Sequence, residues 1–494
     1  MTSVEDKPAM RVTRTTRVLS VLATASLVFV AAAPAAAQPS SEPPPSSEAQ
    51  EPEQGLATPP PLPPDFPTPA DDGKPDQPYT PKTQCVASRG STAPLEHKPW
   101  GQDLLRFDEV AKFATGKNQK VAVIDTGVTP HNFLGDRLEG GGDYVIESEQ
   151  GLRDCDGHGT EVAGIIAADP GSDAIGFRGI APEARILSIR QSSGNYEYKD
   201  PATNQTTTAG NLGTLAKAIV RAANTPGVTV INMSVDSCRP ASAGPIAEPE
   251  KQVQAALRYA VEERDVVAVA SAGNLPEQNC KEQNSPDPKN PTVLVIPPWF
   301  SEYVLSVAAM SESGDVAEFS MTGPWVSVAA PGTEIISLGP AKADGLANQT
   351  IDGQGNPQPI QGTSFAAPYV AGLAALVRER FPNLTAVQVM NRIKATSSHP
   401  AANGGHDNIV GYGMINPIAA LTAFIPAEEN IPPDEAVDTP FEMPAPHQRD
   451  WTPMQVAMIG SSGGVGLLLV TLLVVRTVRR NRPEEDDEKP RHNF

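Results

Sequence analysis

The chain is short of basic charge. Its 494 residues hold 38 Lys and Arg against 58 Asp and Glu, a formal net charge of −20, which argues against a nucleic-acid binder, because that needs a basic surface to neutralise phosphates. It lacks an internal repeat, and it lacks the GxSxG elbow of serine esterases. Cysteine is scarce, four in all. Cys155 and His158 form a C-x-x-H pair, but no second such pair completes a metal set, and no metal or cofactor is expected.

Long apolar runs are confined to the two ends. Arg11, Arg14 and Arg17 precede "VLSVLATASLVFVAAA" and then the small residues "APAAAQ", the order of a secretory signal peptide, here 1–37; an uncleaved anchor helix is the alternative. Near the other end, 456–475 ("VAMIGSSGGVGLLLVTLLVV") is uncharged and long enough to cross a hydrocarbon core of roughly 30 Å as a helix. Arg476, Arg479, Arg480 and Arg482 follow at once, which places a tail, 476–494, in the cytoplasm and the body outside. The expected location is the cell membrane, crossed once. Gly460 and Gly464 form a GxxxG pair within the span, a weak signal because glycine is frequent in membrane helices.

Segment 38–84 is dense in proline, serine and acids and too poor in apolar residues to build its own core, so an extended or disordered arm is expected. A shorter linker of similar composition, 425–455, leads to the apolar run. Between them, 85–424, apolar runs ending near Gly, Ser or Asn ("KVAVIDTG", "ARILSIR", "VTVINMS", "VVAVASAGN") alternate with helical patterns ("EVAGIIAA", "GTLAKAIVRAAN", "KQVQAALRYAVEER", "SFAAPYVAGLAALVRER"). Runs without polar alternation read as strands buried on both faces, so the fold class is α/β, a mostly parallel sheet covered by helices, plus one C-terminal transmembrane helix. Sites in such sheets form at the carboxyl ends of the strands. If the strands preceding Cys238 and Cys280 are neighbours, those cysteines pair, which leaves Cys85 with Cys155; disulfides persist in an exported body.

Four polar residues stand at such ends. Asp125 closes "KVAVID", and taken alone it reads best as a turn or capping aspartate. His158 lies between Gly157 and Gly159, which permit backbone shapes other residues resist. Asn274 closes "VVAVASAGN", as an oxyanion donor or a turn residue. Ser364, in "GTSFAAPYVA", heads the longest apolar helix, where a serine is ordinarily a cap; yet Pro368 removes the N–H that would bond the Ser364 carbonyl, a defect no cap requires.

The blocks "VAVIDTGV", "DGHGTEVAG", "VINMS", "ASAGN", "FSMTGPWVSVAAPGT" and "GTSFAAPYVAG" resemble, in order, the signatures of subtilisin-like serine proteases, whose Asp, His, Ser order is one of three unrelated triad orders. The arrangement around them, signal peptide, Pro-rich arm, protease domain and C-terminal anchor, resembles the mycosins, membrane-anchored proteases of actinobacterial type VII secretion systems. The resemblance implies that Ser364 is the nucleophile, His158 its base, Asp125 the orienting acid and Asn274 an oxyanion donor. It implies polypeptide substrates, with Ser234, Val235, Asp236, Ala272 and Gly273 as candidates for the first specificity pocket. The chain departs from many relatives in reading "SVDS" where they read "SLGG", so Asp236 narrows or charges the cleft, and in carrying Glu161 where many have a histidine or an apolar residue, a position with no part in the triad. A role as a structural part of the secretion machine, independent of cleavage, is the rival expectation. The arm is expected to stay packed on the domain.

Overall fold

The computed structural model describes residues 56–85, 98–172, 174–277, 280–284, 289–351, 356–429 and 451–481. The signal-peptide reading, most of the 425–455 linker and the end of the tail lie outside them.

Seven strands form one sheet: β1 (Lys120–Asp125), β2 (Leu138–Asp143), β3 (Arg185–Arg190), β4 (Val228–Met233), β5 (Val267–Ser271), β6 (Leu305–Met310) and β7 (Val326–Pro331). They lie in the order β7-β6-β5-β4-β1-β3-β2, and every neighbouring pair is parallel. Central strands are buried on both faces, as Val121 through Asp125 and Val267 through Ser271 show; that is why they read as unbroken apolar runs. The chain leaves β1 toward β3 and β2, then returns to β1's other side with β4. The switch point between β1 and β4 opens a crevice outside their carboxyl ends.

Helices packed around the sheet among the described residues include α1 (His158–Ala167), α2 (Leu212–Asn224), α3 (Glu248–Arg258) and α4 (Thr363–Arg380). α1 packs on α4 and α2 on α3. α2 begins with a capping box between Asn211 and Thr214 and presents one apolar stripe. α4 is buried all round from Thr363 to Arg378, as a helix through the centre of a core must be.

From Leu56 onward the arm is extended and packed, not free. Trp299 Nε1 donates to Leu56 O at 2.9 Å, Arg258 Nη2 to Phe66 O at 3.0 Å, and Tyr144 Oη and Arg221 Nε both reach the Asp71 carboxylate, at 2.7 and 2.9 Å. Thr80–Pro81 adds an edge strand to Ser193–Lys199, and Tyr79 enters a small apolar cluster with Val145, Cys155 and Tyr196. A proline-rich segment that cannot build a core has borrowed one. Cys85 is bonded to Cys155 and Cys238 to Cys280, the pairing expected from the strand order.

Beyond the body, Thr452–Arg480 is a single helix of 29 residues with mean hydropathy 2.1 over its apolar part, long and apolar enough to cross a membrane. It contains the 456–475 run and extends it at both ends.

Candidate active site

Asp125 ends β1, buried at 0% exposure. Its Oδ1 accepts from Thr126 N at 2.7 Å and from His158 Nδ1, also at 2.7 Å. His158 opens α1, and the short loop before it is set by Asp154, a residue the sequence did not single out. Asp154 Oδ1 accepts from Thr126 Oγ1 (2.9 Å) and Gly157 N (2.7 Å), while Oδ2 accepts from Thr160 N (2.8 Å) and Oγ1 (2.7 Å). One carboxylate thus ties the end of β1 to the first turn of α1, fixing the residues that carry Asp125 and His158. Burial pushes the Asp154 carboxyl up to about 6. The two glycines are required: Gly157 has φ +88°, and a Cβ on Gly159 would stand 2.0 Å from Gly127 O.

Burial of the His158 imidazole opposes its protonation, but the charge and hydrogen bond of Asp125, with the nearby carboxylates of Glu161 and Asp154, outweigh it and push the group up to about 9. Glu161, read from the sequence as uninvolved, therefore adds to the field on the histidine.

Ser364 is the second residue of α4, not its cap; Gly362 precedes the helix, and no side chain caps it. The carbonyl that Pro368 leaves without an intrahelical donor is satisfied from outside the helix. Ser234 Oγ, just past β4, donates to Ser364 O at 2.7 Å, and Asn232 Nδ2 donates to Ser234 Oγ at 2.9 Å. The Ser364 hydroxyl itself donates to Ser234 O at 3.4 Å. The proline defect and the β4 loop thus fit one another, and together they hold the helix start against the strand ends.

Asn274 follows β5. Its Oδ1 accepts from Thr363 N at 2.8 Å and Thr363 Oγ1 at 3.0 Å. A backbone N–H can only donate, so this atom is the oxygen and the amide NH₂ faces the other way. Gly273 N donates to Thr363 Oγ1 at 3.2 Å.

These elements surround a cleft of about 590 Å³, lined by Asp125, His158 and Ser364, by Ser234 through Cys238, and on the far wall by Gln191 through Gly194 and Thr208 through Leu212. The candidates Ser234, Val235 and Asp236 line it. Ala272 is fully buried, and the Gly273 N–H is engaged by Thr363. Asp236 is half-buried and accepts from Ser271 Oγ at 3.4 Å; burial, then the charge of Glu277, push its carboxyl up to about 7. Cys238 and Cys280 lie near Asp236 in a grouping with metal-ligand spacing, but both sulfurs are engaged in their disulfide. After Asn274, Val293–Ile296 pairs antiparallel with Ser237–Pro240, and Cys280 is bonded to Cys238.

Two carboxylates, an imidazole and a hydroxyl on the rim of a parallel sheet are met on several folds, and comparison with known proteins decides among them. Residues 116–413 match the Subtilase family of peptidases. Mycosin-1 of Mycolicibacterium smegmatis is 40% identical over 433 residues, covering 84% of this chain and 92% of the relative, and Mycosin-3 of Mycobacterium tuberculosis is 41% identical, covering 78% and 85%. The chain belongs to the subtilases, among the mycosins. Solved mycosin structures agree. The MycP3 protease from the type VII (ESX-3) secretion system superposes with a TM-score of 0.67 at 40% identity, over 74% of this chain and all of that one. A chain of the intact ESX-5 inner membrane complex superposes with the same score at 38% identity, over 85% and 98%. A subtilisin-like serine peptidase is therefore the class of enzyme to which this mycosin belongs.

Proposed function

We propose that this mycosin is a serine endopeptidase held at the cell membrane by the Thr452–Arg480 helix, with its catalytic domain outside, cleaving exported proteins beside a type VII secretion complex. The observation that carries it is the 2.7 Å bond between Asp125 and His158 in the cleft headed by Ser364. In this reading the Ser364 hydroxyl turns from Ser234 O toward His158 and attacks the scissile carbonyl, giving its proton to the imidazole. Asp125 holds the ring's tautomer and stabilises the imidazolium, and the same proton then passes to the leaving amine. The oxyanion is met by Asn274 Nδ2 and the Ser364 N–H, at the positive end of the α4 dipole. Water repeats the cycle on the acyl-enzyme. The arginines after the span favour a cytoplasmic tail.

A second reading, a structural component that stabilises the membrane complex without cleavage, is favoured by the relative seen within the ESX-5 inner membrane complex. Ser364→Ala compared with deletion from Val456 onward, each scored for substrate cleavage and for secretion, separates the two. Proteolysis as the main role predicts that Ser364→Ala abolishes cleavage and impairs secretion; secretion intact in Ser364→Ala and lost on deletion gives the structural reading precedence. The mass of the exported form tests retention of the arm, and loss of everything up to Cys85 in the active form would refute it.

A further inference from the structure

Asn274 has only one of its two amide hydrogens to spare for an oxyanion as it stands. The Nδ2 that would meet the oxyanion donates at 3.1 Å to Glu277 Oε1, and because Oδ1 is pinned by two donors of Thr363, the amide has no flipped alternative that would turn NH₂ away from that carboxylate. Glu277 is itself held. Its N–H bonds Cys280 O at 3.1 Å, and Cys280 is bonded to Cys238 beyond β4. The carboxylate sits at the cleft beside Asp236, and no lysine or arginine is among the residues lining that cleft, nor does Glu277 form an ion pair among the described residues.

We propose that Glu277 is a brake on the oxyanion site: its carboxylate holds the Asn274 amide and sets a negative charge one hydrogen bond from the place where negative charge must develop. This rests on the assignment of Ser364 as nucleophile and Asn274 as oxyanion donor. A substrate carbonyl entering between Asn274 and Ser364 must share the amide with Glu277, whose bond fixes where the second N–H points, and like charge opposes the tetrahedral state for as long as the carboxylate remains. Glu277 acts through Asn274 and forms no bond with the reacting atoms. Charged groups facing it are Asp236 from the β4 loop and, across the cleft, His158 from α1.

The test uses the full chain in detergent and a fluorophosphonate probe at pH 8, so that no substrate need be known. Labelling forms the bond from Ser364 Oγ to phosphorus and breaks the bond from phosphorus to fluorine; fluoride leaves, the hydroxyl proton goes to His158, and charge develops on the phosphoryl oxygen in the oxyanion site. Glu277→Gln keeps size and an acceptor for Asn274 but removes the charge. It is expected to raise the limiting labelling rate by about tenfold or more, a part of the 10²–10³ that a whole oxyanion donor is worth, with little change in probe affinity; Glu277→Ala is expected to accelerate as well. A merely structural glutamate would yield no faster variant. Ser364-dependent labelling of the wild type with Glu277→Gln equal or slower overturns the brake alone. Failure of wild type and Glu277→Gln alike to label at Ser364 overturns the serine assignment and the brake with it.

Discussion

The proline in "GTSFAAPYVA" supplies a test of how the site is held. Pro368 cannot donate to the Ser364 carbonyl, and its ring crowds that carbonyl; Ser234 Oγ satisfies it at 2.7 Å while receiving Asn232 Nδ2 at 2.9 Å. Ser234→Ala leaves both a buried acceptor and a buried donor unmatched. Each such loss costs about 1–3 kcal/mol, so a destabilisation of about 3 kcal/mol is expected. Pro368→Ala restores a helical N–H four residues beyond Ser364 and removes a strong helix breaker, but it also gives the unfolded chain more freedom and empties some core volume, so its own effect is the small difference between opposing contributions. The decisive quantity is the coupling. In the double variant the N–H restored at position 368 takes over the carbonyl that Ser234 abandoned, so the pair should recover about 1–2 kcal/mol relative to the sum of the single effects, the worth of one regained buried hydrogen bond. Urea unfolding of the full chain in detergent, followed through the buried Trp299 and Trp325, measures all three. Additivity within about 0.5 kcal/mol, or a Ser234→Ala variant as stable as the wild type, would refute the claim that the β4 loop compensates the proline.

Other outcomes follow from the same geometry. His158 must be neutral to accept the serine proton and its group is raised to about 9, so activity is lost as pH falls through that value: kcat/KM on a peptide should climb with pH to a midpoint well above the roughly 6.5 of an ordinary histidine, and a flat profile above about pH 6 would contradict the field described. Asp125→Asn should lower kcat by about 10⁴ and move that midpoint down, since the charge that most favours the protonated ring is gone. Asn274→Ala should cost about 10²–10³ in kcat with a small change in KM; a change confined to KM would remove it from the oxyanion site. Replacing Cys85 and Cys155 together by serine opens a bridge spanning 70 residues, worth about 4 kcal/mol by loop entropy, and limited proteolysis should then cut within 56–85 first; unchanged resistance would show that Asp71, Tyr79 and the edge strand hold the arm unaided.

Much of this was legible because buried parallel strands announce themselves. β1, β3, β4 and β5 are covered on both faces, so their sequences are mostly apolar, each with a polar residue at or just past its end that the fold brings to one rim. β2 was not legible: its sequence, "LEGGGD", pairs only with β3 and sits at the sheet's edge, where three glycines contribute backbone rather than side-chain packing. The triad candidates could be read because each stands at an element's end. Asp154, Ser234 and Glu277 could not be read in their roles, because each acts across the fold on a group whose need appears only after folding: the loop before α1, the carbonyl that Pro368 abandons 130 residues away, and the amide of Asn274.

The arm makes the same point from composition. Pro-rich, acidic sequence excludes an independent core, and that inference stands; disorder does not follow from it, because the domain offers Arg221, Lys217 and Arg258 to its carboxylates and carbonyls and a cysteine to anchor its end. Whether such a segment is ordered depends on the surface it meets, and here that surface includes Ser193–Lys199, the strand leading from the cleft's far wall. Order in the arm and the shape of the cleft are therefore linked through one short antiparallel pairing, so loosening the arm at Thr80–Pro81 should disturb substrate binding before it disturbs the Asp125–His158 bond.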